Sequence, residues 1–226
     1  MKDTLETGKS ALFIHIPKCA GVAIAVALEK VMGVRRIGPH GKARDLFLPT
    51  GKLDRETFFV FSFVRNPWDR LVSTFFYIMG GGRAPIDQQR RERHLKKYRG
   101  SFEKFVLDIA NWIDIKEDES IYRDGHIPHF RPQYEYIYDE NGNCLVDFIG
   151  RVENLDSDFN ELCNKLSVDG AKLAKKNKSF HRKYWKYYNS ETRAVVAEYY
   201  ARDIECFSYR FRERRTDHDW LKLLKA

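Results

Sequence analysis

Cysteine is scarce in the 226-residue chain: Cys19, Cys144, Cys163 and Cys206 are scattered along it. No Cys or Cys/His spacing matches a zinc site, and a disulfide framework would be unusual in a chain of this length. A reducing compartment follows, and the sequence predicts a cytoplasmic protein. No apolar run approaches the roughly 20 residues of a membrane span, so no integral membrane segment is expected. The polar start MKDTLETGKS leads into an apolar stretch that Lys18 interrupts too early for a signal peptide. Internal repeats, low-complexity tracts and linkers are lacking as well, which predicts one domain over residues 1–226 with its core at about 11–211.

What is present excludes global disorder: hydrophobic residues make up 43% and aromatics 14%. The formal charge of +8 and a pI near 9.2 point to anionic partners. Charge alone does not choose among nucleotides, acidic glycans, nucleic acid and membrane phosphate. No nucleic-acid-binding motif occurs, so nucleic acid is not an expected partner.

The apolar run Ala11–Ile16 reads as a strand ended by Pro17, with His15 inside it as a core residue. A small-residue loop through Lys18, Cys19, Ala20 and Gly21 leads into an Ala-rich helix over Val22–Met32. Phe58–Val64 is nearly all apolar, as expected of a central parallel strand covered on both faces. Pro67 opens a helix over Trp68–Ile78, and Gly80-Gly81-Gly82 stops it. The charged stretch 87–99 reads as a solvated helix face or as a recruiter of acidic ligands. Phe102–Ile113 is amphipathic, and Tyr134–Tyr138 and Leu145–Ile149 flank a turn as a strand pair or a strand and loop. Leu155–Leu166 and Ser190–Tyr200 are helices, the second capped by Ser190. The class is α/β.

Two segments carry chemistry. A loop between a buried strand and a helix presents backbone N–H groups at the helix's positive end, so the Lys18 loop is an anion cradle or a plain crossover with a solvated lysine. Gly8-Lys9-Ser10 is not a nucleotide-triphosphatase loop, because Asp3 stands where that motif needs its first glycine and no strand precedes it. Further on, Arg65 lies at the carboxyl end of the second strand, where open α/β sheets bind ligands, and Ser73 lies about two turns into the next helix. Arg65 and Ser73 would grip one phosphate, or Arg65 would simply pair with Asp69.

Together IHIPKCAG and FVRNPWDRLVS resemble the sulfotransferases that use 3'-phosphoadenosine 5'-phosphosulfate (PAPS), in the branch of heparan/chondroitin-type carbohydrate enzymes and their bacterial relatives. The likeness extends through HFRPQYEYI, DFIGRVENLDSDF and the segment RKYWKYYNSETRAVVAEYYARDIECFSYRF, covering roughly residues 11–211. It implies a P-loop-like three-layer sandwich, a central parallel sheet flanked by helices. It assigns the 5'-phosphosulfate to Lys18, Cys19, Ala20, Gly21, Val22 and Ala23, with Lys18 catalytic at the leaving phosphate. It assigns the 3'-phosphate to Arg65 and Ser73, and makes Lys178 and Ser179 secondary donor contacts in a closing loop. The family loop commonly ends in Thr-Ser; this chain has Val22-Ala23, which leaves open a weakened or inactive relative that binds nucleotide or an anionic glycan.

Sulfuryl transfer needs positioning, a cation at the leaving group and a base for the acceptor hydroxyl. His40, between the two blocks, is the expected base by likeness to glycosaminoglycan 2-O-sulfotransferases, against a plain turn histidine. His94 and His218 read as solvated, and His181 lies in a basic, aromatic loop. His126 and His129 lack a third metal ligand, so no metal is expected and His129 is assigned to the acceptor side. The expected partners are PAPS, its product 3'-phosphoadenosine 5'-phosphate (PAP), and an acceptor that is a carbohydrate or other hydroxyl compound, anionic or neutral.

Overall fold

The computed structural model describes residues 9–32, 35–36, 40–47, 53–109, 111, 127–173 and 181–212. Along the chain run β1 (Ser10–Ile14), α1 (Gly21–Glu29), β2 (Arg35–Arg36), α2 (Arg44–Phe47), β3 (Phe58–Val64), α3 (Pro67–Met79), α4 (Pro85–Arg90) and α5 (Phe102–Leu107). They continue with α6 (Tyr134–Ile137), β4 (Phe148–Arg151), α7 (Leu155–Lys165), α8 (Ser190–Tyr199) and α9 (Ala201–Cys206). The chain is an α/β protein that divides into two compact units, residues 1–65 with 113–179 and residues 66–112 with 180–226. No helix among the described residues is long and apolar enough to cross a membrane.

The first unit holds the sheet. Its order is β2-β1-β3-β4 and every pairing is parallel. Strands β1 and β3 are central, and Leu12, Val60, Phe61 and Phe63 have no exposed surface, which is why both read as continuous apolar runs rather than alternating ones. Phe13 and Phe61 face each other in register and stack at 4.9 Å. Ser62, the one polar residue of β3, donates to the Ile14 carbonyl at 2.8 Å. Strand β4 is aligned by Asp147, whose carboxylate accepts from the Val60 N–H at 2.7 Å and pairs with Arg55 at 2.7 Å. Gly150 is required opposite Phe63, because a Cβ there would lie 2.3 Å from the Phe63 ring.

The second unit is helical. Asn66 caps α3, its side chain accepting from the Trp68 N–H at 3.2 Å, and Pro67 occupies the first turn. Phe75 and Phe105 lie fully buried with Phe102 and Tyr98 against them. The buried Asp87 carboxylate pairs with Arg90 at 3.0 Å and accepts from the Tyr77 hydroxyl at 2.7 Å.

Several boundaries depart from the sequence expectations. Strand β1 stops at Ile14, so His15 and Ile16 lie beyond it. The charged stretch is not one helix: α4 gives way to a π turn over 91–95 and a 3₁₀ turn over 96–98, with Asp87, Arg90, Leu95 and Tyr98 buried. Tyr134–Ile137 is helical rather than extended; only Tyr138 and Cys144 pair across the turn. Asn189, not Ser190, caps α8, its side chain accepting from the Thr192 N–H at 2.8 Å.

Candidate functional site

The loop between β1 and α1 is strained. Lys18 and Ala20 adopt left-handed backbone angles, φ 67° and 59°, which cost a non-glycine residue about 1–2 kcal/mol each. Such strain persists only where surrounding structure over-determines it, and it clusters at ligand sites. Left-handed residues at a helix start turn successive N–H groups toward one side, a concavity that receives anions. The nine-residue α1 adds its positive end, with no acidic residue in its first turn to offset it. The N–H groups of Ala23 and Ile24 turn back to the Ala20 carbonyl at 2.9 and 3.2 Å. Val22 is 42% exposed on this first turn.

Gly21 has a packing reason beyond close approach to a ligand. A Cβ on it would lie 1.9 Å from Cδ2 of His15 and 2.1 Å from Nε2, so the imidazole rests directly on the helix start.

Arg65 meets this loop through two contacts. Its Nη1 donates to the Lys18 carbonyl at 3.2 Å. Gln133, with no exposed surface, accepts from the Arg65 N–H through Oε1 at 2.8 Å and donates through Nε2 to the Arg65 carbonyl at 2.8 Å. The Cys19 thiol donates to the same Oε1 at 3.2 Å. Sequence reasoning quoted HFRPQ without giving Gln133 a role. The sequence signal is an amide-bearing residue placed just before the Tyr134–Tyr138 segment and close behind His129 and Arg131.

Three imidazoles gather beside the loop. The ring centroids of His15 and His40 are 4.9 Å apart and those of His40 and His129 are 5.6 Å apart. His40 has a left-handed backbone, φ 62°, and its Nδ1 stands 3.2 Å from the His15 carbonyl oxygen. The segment after it is tied down: the Ala43 N–H donates to the Tyr136 carbonyl at 2.8 Å, and the Glu135 carboxylate takes Lys42 at 3.5 Å and Arg131 at 3.6 Å. His15, expected as a core residue, is therefore half-buried in the site and not in the strand. His129 is buried at the edge of the imidazole group.

The first unit thus brings together Lys18, Cys19, Ala20, Gly21, Arg65, His40 and His129 with two unforeseen members, His15 and Gln133. Ser73 belongs to α3 of the second unit, where it is buried. In that unit His181 stacks on Phe76 at 5.9 Å. Lys178, Ser179, His126 and His218 lie outside the described residues. Among the described residues no group of three or more His, Cys, Asp or Glu side chains is arranged to hold a metal.

The model of the family described as "Sulfotransferase family" matches residues 6–210, a span that runs through both units. An uncharacterized protein of Archaeoglobus fulgidus is 29% identical over 118 residues, 52% of this chain and 75% of the relative. No solved structure gives a significant match.

Proposed function

The chain belongs to the sulfotransferase family, and from that membership we propose that it moves a sulfuryl group from PAPS to a carbohydrate hydroxyl. In this reading the loop through Cys19, Ala20, Gly21, Val22 and Ala23 receives the 5'-phosphosulfate on the N–H groups of Ala20, Gly21 and Val22, those of Cys19 and Ala23 being turned to the Ile16 and Ala20 carbonyls. Lys18 carries the charge that develops on the leaving phosphate. Arg65 takes the 3'-phosphate, to which the resemblance also assigns Ser73. The resemblance gives Lys178 and Ser179 secondary contacts to the donor and places His129 on the acceptor side. The acceptor oxygen attacks sulfur as the bridging S–O bond to phosphate breaks. PAP leaves with that electron pair, and the acceptor proton passes to Nε2 of His40. The scattered cysteines favour the cytoplasm as the place of action.

The observation that carries this reading is the Arg65 guanidinium 3.2 Å from the Lys18 carbonyl: residues assigned to opposite ends of one bisphosphorylated nucleotide meet in the same corner of the first unit. Calorimetry with PAP against AMP tests it. Tight PAP binding with a clear preference for the 3'-phosphate is expected. Lys18→Ala should weaken both ligands and Arg65→Ala only PAP, each by tenfold or more for a lost charge-assisted bond worth about 1.5–3 kcal/mol. Unchanged binding in both variants would sink the reading.

A second reading is favoured by Val22, an exposed apolar residue on the turn where the family carries a hydroxyl. It makes the chain a binding relative without turnover, and it predicts no PAP formed from PAPS even after Val22→Thr and Ala23→Ser.

A further inference from the structure

Gln133 is not explained by core packing. A buried primary amide is costly unless both its functions are satisfied, and here three of its bonds go to the two segments assigned to the donor. Its Oε1 accepts from Arg65 N–H and from the Cys19 thiol, and its Nε2 donates to the Arg65 carbonyl. In an antiparallel ladder a hydrogen-bonded residue exchanges both its N–H and its C=O with one opposite residue, and the Gln133 amide makes that two-bond exchange with Arg65 through a side chain. Arg65 lies one residue past the end of β3, whose last paired residue is Val64. The Gln133 amide therefore clips the backbone just past the end of β3.

We propose that Gln133 is a positioning residue that fixes Arg65 against the Lys18 loop, so that the spacing between the 5'- and 3'-phosphate contacts is set before the donor arrives; this rests on the donor reading above. Without the clip, the peptide of Arg65 loses the bonds that Gln133 makes to both its N–H and its carbonyl. Its guanidinium then swings on a long lever. The Lys18 loop loses the Cys19 thiol bond to Gln133 but keeps the Cys19 N–H on the Ile16 carbonyl at 3.4 Å and the His15 ring under Gly21. The consequence is selective. Loss of Gln133 should harm recognition of the 3'-phosphate far more than recognition of the 5'-phosphate.

The test is calorimetry of the full chain with PAP and with AMP, for wild type, Gln133→Met and Gln133→Glu, with thermal unfolding recorded for each. Methionine keeps the length while deleting both polar functions, and an ionised glutamate keeps the acceptor while deleting the donor to the Arg65 carbonyl. Both variants should unfold cooperatively, bind AMP within about threefold of wild type, and lose about tenfold of the PAP-over-AMP preference, as expected for one displaced charged contact. A folded variant that keeps the wild-type ratio, including one whose two affinities fall together, overturns the assignment and leaves Gln133 a core residue. If neither variant folds, Gln133 is a folding residue and the assignment falls. If wild type itself shows no PAP preference, the donor reading fails, and the inference with it.

Discussion

His40 and His15 are joined through Nδ1 of the first and the backbone carbonyl of the second, 3.2 Å apart. A carbonyl oxygen can only accept, so this bond requires the proton on Nδ1 and makes Nε2 the basic nitrogen of a neutral His40 ring, the tautomer that the proposed base role needs. His40 also has a left-handed backbone, φ 62°, a strain that persists only where the surrounding structure over-determines it.

His40→Gln should therefore lower turnover while sparing donor binding. Loss of a general base costs about 10²–10⁴ in rate, so PAP formation from PAPS with a panel of sugar acceptors should fall within that range as PAP affinity stays within about threefold. Wild type should lose rate at acid pH as the imidazole protonates, and the variant should lack that limb. An unchanged pH profile in the variant would assign the base elsewhere, His129 being the next imidazole in line.

The second unit carries a separate, pH-linked prediction. Burial first, then hydrogen bonding to Asp87, pushes the Tyr77 phenol up to about 12. Burial first, then hydrogen bonding to Asp108, does the same to Tyr98, also to about 12. Burial drives Tyr188 well above its ordinary value, with Tyr200, Asp69 and Tyr184 adding to it. In the unfolded chain these phenols ionise near 10, so the folded state binds more protons above that pH. Stability is thus fully present below about 10 and declines as pH rises toward about 12. Tyrosinate absorbance should show part of the 12 tyrosines ionising only with unfolding. Ionisation of all of them together in a still-folded protein would contradict this.

The two central strands are legible in the sequence, and so are candidate residues for the site. Phe58–Val64 reads as a buried parallel strand because a strand covered on both faces has no polar alternation, and β3 has those same bounds. Lys18, Gly21 and Arg65 were visible because they stand at ends of strands and helices, where chemistry is local to the chain. Tyr134–Ile137 was misread because its residues favour strands, and tertiary contact decided otherwise. Gln133 and His15 escaped for a related reason. Each earns its place through a partner distant in sequence, Arg65 for one and His40 for the other, and no spacing rule encodes such pairings.

Gly21→Ala should be far more harmful than its size implies. The added methyl would meet the His15 ring at 1.9 Å, a clash that requires the imidazole or the start of α1 to move. Overpacking of this kind costs about 1–3 kcal/mol, and the movement would disturb both the anion cradle and the His15 carbonyl that orients His40. Thermal unfolding should register the first, and a loss of PAP affinity of tenfold or more the second. A variant with wild-type affinity would show that the His15 ring has room to withdraw.

Restoring the hydroxyls should run in the opposite direction. Val22→Thr nearly preserves side-chain shape at an exposed position, so it should leave stability within about 0.5 kcal/mol. Ala23→Ser lies next to it on the same turn of α1. If these positions face the donor phosphates, each hydroxyl adds a bond worth about 0.5–1.5 kcal/mol, and more to a charged oxygen. The double variant should then bind PAP at least about fivefold more tightly, while AMP gains by the same factor because the added contacts go to the 5' end. A gain confined to PAP would move these hydroxyls to the 3'-phosphate. No gain for either ligand would mean that α1 presents Val22 and Ala23 away from the donor, and that the backbone cradle alone does the binding.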